Sequence, residues 1–319
     1  MEHQMAMNHL EAYCKRRQRA MTPEMTIMAM LPENSTVIPN EKGSAVGFDM
    51  EVSGCRFCAL PGVPSELKHM MFNTILPTIQ KSKSQKLTTI LCFGQPEAVI
   101  QKRLQQLDLD GYRIGYRATR AGNLIKLQGP PLSMPIRTQL QQTFHDCYMA
   151  EDEDDMAAAI GRQLKESGET VATAESCTAG GVASWLASIP GASAYLMEGV
   201  IVYSNEAKQR YTGVRSETLE QYGAVSQQTA LELASGIRQR AKSTWGLSVT
   251  GIAGPGGGTP LKPVGTVHIA VAGPNAIIQH RQLQLRGSRT EITRSSAAHL
   301  IYLLHEVRRD FGHRMTNSP

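Results

Sequence analysis

The stretch TVATAESCTAGGVASWLAS, residues 170–188, decides the fold of the C-terminal half of the chain. Its first five residues, 170–174, alternate small apolar and β-branched side chains and predict a buried strand. Two consecutive glycines, Gly180 and Gly181, interrupt this pattern, and residues 181–188 predict a helix. A buried strand followed at once by a helix is typical of α/β proteins.

The same alternation continues on both sides of this stretch. Further strands are predicted at 198–203, 246–250, 265–271 and 277–285, and helices at 156–165, from Ser204 onward, at 226–242 and at 290–311. These segments together predict a three-layer α/β domain over residues 153–315.

Two smaller regions precede this domain. Residues 86–148 follow the order β-α-β-β-α with a short final strand, which predicts a small α+β domain of the ferredoxin-like or KH-like kind. A KH site would need a Gly-X-X-Gly loop between helices, and none stands in that place, so nucleic-acid binding is disfavoured. Residues 1–80 predict a methionine-rich helix, irregular strands and a helix over 65–79 with Ser65 as its N-cap.

Composition excludes several classes of protein. Of the 319 residues, 41% are hydrophobic and 19% are charged, which excludes a wholly disordered chain. No window approaches the ~18 consecutive apolar residues of a membrane span, and no apolar segment follows the basic residues 15–19, so we expect a cytoplasmic protein. The net charge of +5 belongs to residues 1–150, with 17 basic and 12 acidic side chains, whereas the remainder is neutral.

The six cysteines favour reduced thiols. Cys55 and Cys58 are separated by two residues, but no second pair accompanies them, and a zinc site normally needs four ligands. A strand over 55–60 is the simpler interpretation, and we predict neither a metal nor a cofactor.

Ser176 follows the predicted strand directly and precedes the predicted helix. A hydroxyl at this turn lies at the carboxyl end of a strand, where the free N–H groups of the next helix can stabilise an oxyanion or a phosphate. A serine nucleophile needs this environment. The alternative is an ordinary N-cap, because serine is among the favoured capping residues and no Gly-X-Ser-X-Gly elbow is present.

Lys208 follows a second strand end, in the segment YSNEAK, residues 203–208. If Ser204 caps a helix, Lys208 lies near the positive end of the helix dipole, where a cation is disfavoured. A neutral lysine can act as a general base toward a serine. The alternative is a solvated lysine paired with Glu206.

A glycine-rich loop, TGIAGPGGG at residues 250–258, follows a third strand. Consecutive glycines let backbone N–H groups approach a phosphate, although no Walker or dinucleotide-binding pattern is present. Arg286, Arg289 and Arg294 precede or open the last helix and are candidate phosphate ligands. A flexible loop and surface arginines are the alternatives.

These motifs resemble the CinA (competence/damage-inducible) family, whose C-terminal domain is similar to the nicotinamide-nucleotide amidohydrolases. The matching stretches lie at 174–178, 203–208, 223–226, 251–258 and 262–267. Ala179 stands where the family usually has glycine. Upstream, residues 40–48 and 60–66 resemble the second half of the family's molybdopterin-binding-like domain, so we expect residues 1–80 to be a truncated, partial α/β domain and 86–148 to be the family's small middle domain.

The resemblance implies hydrolysis of nicotinamide mononucleotide to nicotinate mononucleotide and ammonia, in pyridine nucleotide recycling. By the resemblance, Ser176 is the nucleophile and Lys208 takes its proton. Tyr203 orients the reacting groups or relays the proton. The N–H groups near Cys177 and Thr178 hold the oxyanion. The resemblance also implies a homodimer acting on a small nucleotide. The residues implied to line the nucleotide pocket are Thr250, Gly251, Gly254, Gly257 and Arg289.

Three alternatives remain open at this point. Cys177 rather than Ser176 is the nucleophile in one of them. A second is ADP-ribose pyrophosphatase activity, which we do not expect because the acidic nucleotide motif of the family's N-terminal domain has no counterpart here. The third is a nucleotide-binding protein without turnover.

Overall fold

The computed structural model describes residues 1–79, 86–119 and 122–316. The chain forms two compact units, residues 1–84 and 85–319. The predicted boundary at residues 80–85 lies outside the described residues, and the predicted domain limits stay a prediction. Among the described residues, no helix combines the length and the apolar character that crossing a membrane requires.

The first unit packs a methionine-rich helix against a small antiparallel sheet of order β1-β2-β3. The expected early helix and the strand at 55–60 are present. The expected cap at Ser65 is wrong: Pro64 takes the first helical position, so Val63 becomes the N-cap. The elements are α1 (Gln4–Arg16), a 3₁₀ turn (Pro23–Ala29), β1 (Thr36–Ile38), β2 (Gly47–Val52), β3 (Cys55–Ala59), α2 (Pro64–Met70), a π turn (Met71–Ile75) and α3 (Leu76–Thr78).

The second unit begins with the small α+β module. Its four strands form an antiparallel sheet of order β5-β6-β4-β7, the order of a ferredoxin-like fold. The prediction of the fold class is therefore confirmed for this region. The elements are β4 (Lys86–Cys92), α4 (Glu97–Leu104), β5 (Arg113–Thr119), β6 (Gly122–Gly129), α5 (Met134–Thr143) and β7 (Tyr148–Glu151).

The remainder of this unit is a three-layer α/β structure, as predicted. Its sheet has the order β12-β11-β10-β8-β9, in which β9, β8 and β10 are parallel and β11 and β12 antiparallel. The elements are α6 (Met156–Ser167), β8 (Val171–Glu175), α7 (Gly181–Ala187), a 3₁₀ turn (Ala192–Ala194), β9 (Leu196–Ile201), α8 (Asn205–Thr212), α9 (Ser216–Tyr222), α10 (Gln227–Ala241), β10 (Trp245–Gly251), β11 (Thr266–Ala272), β12 (Ile278–Gln284) and α11 (Arg289–Thr316). Sequence reasoning missed α9.

Alternate residues of the central strands face different helices. Val171 and Leu247 belong to the core beneath α6, α7 and α11, whereas Ala172 packs toward α10 on the other face. Because both faces are covered, β8 and β11 are buried at every position and β10 at all but its last. The small module shares the first core, and the Tyr302 hydroxyl of α11 donates to Asp146 O at 2.7 Å.

Candidate functional site

Ser176 lies where the sequence places it, at the carboxyl end of β8. Its N–H donates to Val249 O at 2.9 Å, which continues the pairing with β10 one residue beyond the strand. The chain then turns sharply through Ala179 (φ 50°) and Gly180 (φ 93°) into α7. Ala179 therefore occupies a left-handed conformation that favours glycine, which the family usually has there. Ser176 is not the cap of α7, because Gly180 is the N-cap.

Lys208 lies beside Ser176 and is 1% exposed. Its Nζ lies 3.2 Å from Ser176 Oγ and donates to Val202 O at 2.8 Å and to Tyr203 O at 3.2 Å. Among the described residues no carboxylate forms an ion pair with it, so the alternative of a solvated lysine paired with Glu206 is wrong. Burial lowers the pKa of Lys208 below its ordinary value of 10.5, against smaller opposing effects of Cys177 and Glu206.

The helix that carries Lys208 begins as expected. The Ser204 hydroxyl accepts the N–H of Ala207 at 3.1 Å and is the N-cap of α8. Lys208 lies four residues after this cap, so its side chain reaches back beneath the end of β9 toward Ser176. The sequence therefore predicts the cap and the approximate position of the amine. The contacts of the amine depend on the tertiary structure.

Cys177 follows Ser176 but is a poor nucleophile at neutral pH. Its side chain is buried, and burial raises the pKa of the thiol to about 12, with a further contribution from Glu175. The thiolate is the reactive form, so the structure favours Ser176 over Cys177. In the part of the chain that the structure describes, the N–H groups of Cys177 and Thr178 make no hydrogen bond to another residue.

Arg289 joins three segments at the edge of the site. Its guanidinium donates to Tyr203 Oη at 2.9 Å and to Gly254 O at 3.0 Å. Tyr203 thus touches Lys208 through its carbonyl, while its hydroxyl meets Arg289. Gly254 has a φ of 77°, and a Cβ there would lie 2.7 Å from Val264, so glycine is needed at this position.

The other predicted pocket residues are less directly connected. The Thr250 hydroxyl donates to Ala224 O at 2.7 Å, before α10. Gly251 ends β10, and Gly257 lies in the exposed part of the glycine-rich loop. Within residues 1–79, 86–119 and 122–316, no hydrogen bond links Thr250, Gly251 or Gly257 to Ser176, Lys208 or Arg289, and no three acidic, histidine or cysteine side chains form a metal-binding group.

The comparisons with known proteins agree with the motifs. Residues 153–308 match the CinA C-terminal domain family. A CinA-like protein of Desulforapulum autotrophicum is 41% identical over 283 residues, covering 82% of this chain and 66% of that protein. A CinA-like protein of Anaeromyxobacter dehalogenans is 38% identical over 297 residues, covering 90% of this chain and 72% of that protein. The chain belongs to the CinA family.

This chain spans about two thirds to three quarters of the length of these two curated relatives. Among solved structures it is similar to the competence/damage inducible protein CihA from Agrobacterium tumefaciens, at 40% identity and a TM-score of 0.47. That similarity covers 48% of this chain and 93% of the other.

Sequence reasoning missed one residue of this CinA site, Glu175. Its carboxylate is 1% exposed and accepts the N–H groups of Gly180, Val182 and Ala183 at 2.8–3.0 Å. It also accepts the Thr178 hydroxyl at 2.6 Å. The expectation that the first N–H groups of α7 are free for a ligand is therefore wrong, because Glu175 already occupies them. A carboxylate that ends a fully buried strand was the signal that could have found it.

Proposed function

We propose that this CinA-family protein hydrolyses the carboxamide of nicotinamide mononucleotide, giving nicotinate mononucleotide and ammonia. The observation that carries the proposal is the buried amine of Lys208, 3.2 Å from Ser176 Oγ and without a carboxylate partner among the described residues. The pyridine nucleotide as substrate rests on the resemblance of the motifs to the nicotinamide-nucleotide amidohydrolases. The names of the relatives state no substrate.

The three contacts of Lys208 suit a general base. Two carbonyl groups, of Val202 and Tyr203, can accept the two N–H bonds of a neutral amine. The lone pair of that amine is then left for the third neighbour, the hydroxyl of Ser176. Because burial lowers the pKa of Lys208, the neutral form is reached at a lower pH than in a solvated lysine.

In the proposed reaction, Ser176 Oγ attacks the carboxamide carbon while its proton passes to Lys208. The oxyanion that forms accepts the N–H groups of Cys177 and Thr178, which donate to no other described residue. Collapse breaks the C–N bond, and the proton on Lys208 leaves with the nitrogen as ammonia. Water then attacks the acyl-serine ester, gives its proton to Lys208 and releases the carboxylate, and the proton returns to Ser176. The scheme uses neither a metal ion nor a cofactor.

Arg289 is the proposed phosphate ligand. Its guanidinium lies at the rim of the site, where Tyr203 and Gly254 hold it. A phosphate is a stronger acceptor for arginine than a phenol oxygen or a peptide carbonyl. Substrate binding would therefore exchange one or both of these contacts for the phosphate. Gly251, Gly254, Gly257 and Thr250 are proposed to border the nucleotide.

The test is ammonia release from nicotinamide mononucleotide, with nicotinate mononucleotide identified by mass spectrometry. Ser176→Ala is expected to lower kcat by at least about 1,000-fold, since removal of a serine nucleophile leaves only the contribution of binding and the oxyanion contacts. Ser216→Ala, at the exposed start of α9, is the matched control and should retain activity. Full activity in Ser176→Ala would overturn the mechanism. Binding of the mononucleotide by calorimetry without ammonia release would instead identify a nucleotide-binding protein.

We further propose that the protein acts as a cytoplasmic homodimer in pyridine nucleotide recycling. The resemblance supports this assembly and role. Light scattering of the purified protein at several concentrations tests the dimer, and a monomer at every concentration would exclude it.

A further inference from the structure

A cavity lies between α7, the first turns of α11 and strand β5 of the small module. Its volume of about 770 Å³ falls within the range of about 300–1,000 Å³ for small-molecule sites. Of the residues assigned to the hydrolytic site, only Thr178 lines it. The cavity therefore adjoins the hydrolytic site at Thr178 but does not include the Ser176–Lys208 pair.

One wall of the cavity is a half-buried tryptophan held in a fixed orientation. Trp185 Nε1 lies 3.1 Å from both carboxylate oxygens of Asp155. Asp155 in turn caps α6 by accepting the N–H groups of Ala157 and Ala158. Because the polar edge of the indole is satisfied, the ring offers apolar surface to the cavity. A fixed indole beside open space suits a flat heteroaromatic ring, which gains from stacking without ordering the protein side chain.

A cation also lines the cavity. Arg294, on α11, is exposed and forms no ion pair with any residue that the structure describes. Arg117, from β5, also lines the cavity, but it is paired with Asp154 at 2.6 Å. The carboxylates of Asp154 and Asp155 are thus engaged with their own donors. An arginine without a partner at a cavity wall suits a phosphate, which it can bind through two N–H groups.

We propose that this cavity is a second nucleotide site, which binds a nucleoside monophosphate with its base stacked on Trp185 and its phosphate on Arg294. The Ser184 hydroxyl, which makes no hydrogen bond in the described part of the chain, lines the same cavity and faces the remainder of the ligand. The site joins the small module to the α7–α11 layer. Its occupancy does not require turnover at Ser176, so it stands independently of the proposed hydrolysis.

Tryptophan fluorescence tests this proposal directly. The chain has two tryptophans, and the other one, Trp245, is completely buried. Titration of the full chain with AMP as the probe is expected to quench the emission saturably, and Trp185→Phe should abolish the change. Arg294→Gln should weaken AMP binding at least about tenfold, because a charge-assisted contact is lost. The matched control, Arg210→Gln at an exposed position of α8, should bind AMP normally.

Further titrations separate this site from the hydrolytic one. Ser176→Ala and Arg289→Gln should leave AMP quenching unchanged, and inorganic phosphate or adenosine alone should bind more weakly than AMP. The proposal is overturned if AMP gives no saturable quenching. It is also overturned if Arg294→Gln binds AMP as the unaltered protein does, or if Arg289→Gln abolishes the binding. Arg294 is exposed, so its variant tests the proposal even if Trp185→Phe fails to fold.

Discussion

Two helices begin beside Ser176, and the residues at their starts differ in charge and in task. At the start of α7, the buried carboxylate of Glu175 accepts three backbone N–H groups. At the start of α8, a hydroxyl, that of Ser204, caps the helix, and Lys208 extends from the second turn toward Ser176. A negative group suits a helix N-terminus and a cation does not.

The two helix starts thus serve different purposes, a structural one for Glu175 and a proposed chemical one for Lys208. Glu175 accepts the first N–H groups of α7 and so holds the turn before this helix, which carries Ser176, Cys177 and Thr178. Lys208 is buried where its charged form is disfavoured, which suits the base that we propose. Substitutions at the two helix starts should therefore have different effects. A change at Lys208 should lower only the rate, whereas a change at Glu175 should lower both the rate and the stability.

Among changes at the two helix starts, the largest effect is expected for Lys208→Met. Methionine fills a similar buried volume without a base, so kcat for ammonia release should fall by about 100- to 10,000-fold, the range for loss of a general acid–base group. The fold should persist, because an apolar side chain replaces a buried amine. Lys102→Met, on the exposed face of α4, is the control and should leave the rate unchanged. An active Lys208→Met protein would exclude the lysine as the base.

Glu175→Gln is expected to act more weakly on the rate and more strongly on stability. The amide replaces one acceptor oxygen by a donor that faces backbone N–H groups, so at least one buried N–H loses its partner, at a cost of about 1–3 kcal/mol in the free energy of unfolding. The rate should fall by about 10- to 100-fold, because the turn behind Ser176 shifts.

Glu232→Gln is the matched control for that variant. Glu232 also accepts a backbone N–H, that of Arg215, and a threonine hydroxyl, that of Thr218, at the start of α9. It should lose stability while retaining kcat. If Glu175→Gln lost stability with kcat unchanged, Glu175 would be a cap with no bearing on the serine.

The pH dependence of the rate sharpens the difference further. Burial lowers the pKa of Lys208, so kcat/KM should rise with pH through that lowered pKa, below the ordinary value of 10.5. The folded state favours the neutral amine. Between the lowered pKa and the ordinary value, the free energy of unfolding should therefore increase as pH rises. Lys208→Met should lose both dependences, and a rate that falls with rising pH in this window would contradict the assignment.

The sequence predicts where both helices begin, but it predicts the cap of α8 and misses the carboxylate at the start of α7, for a physical reason. A serine cap acts on an N–H three residues ahead, so Ser204 is visible in local spacing. Glu175 accepts N–H groups five to eight residues ahead, after a left-handed turn that no local pattern specifies. The strands and most helices follow from hydrophobic alternation, which depends on neighbours along the chain.

Local sequence patterns do not predict contacts between residues that are far apart in the chain. Arg289 and Tyr203 are separated by 86 positions, and their hydrogen bond depends on how β9, β10 and α11 meet at one edge of the sheet. Ser65 shows the opposite failure. It has the chemistry of a cap, but the proline before it already adopts the helical φ and starts the helix one residue earlier.

The smallest effect is expected for Ser204→Ala. Loss of the hydroxyl that accepts the Ala207 N–H should lower the free energy of unfolding by about 1 kcal/mol. The N–H of Lys208 still donates to Ser204 O at 3.1 Å, and the amine keeps its three contacts, so kcat should change by less than about threefold, or ~0.7 kcal/mol in the barrier. Ser133→Ala, which removes the cap of α5 in the small module, should cost similar stability with no change in rate. A loss of kcat in Ser204→Ala as large as that in Lys208→Met would mean that the first turn of α8, and not the burial of the amine, holds Lys208 against Ser176.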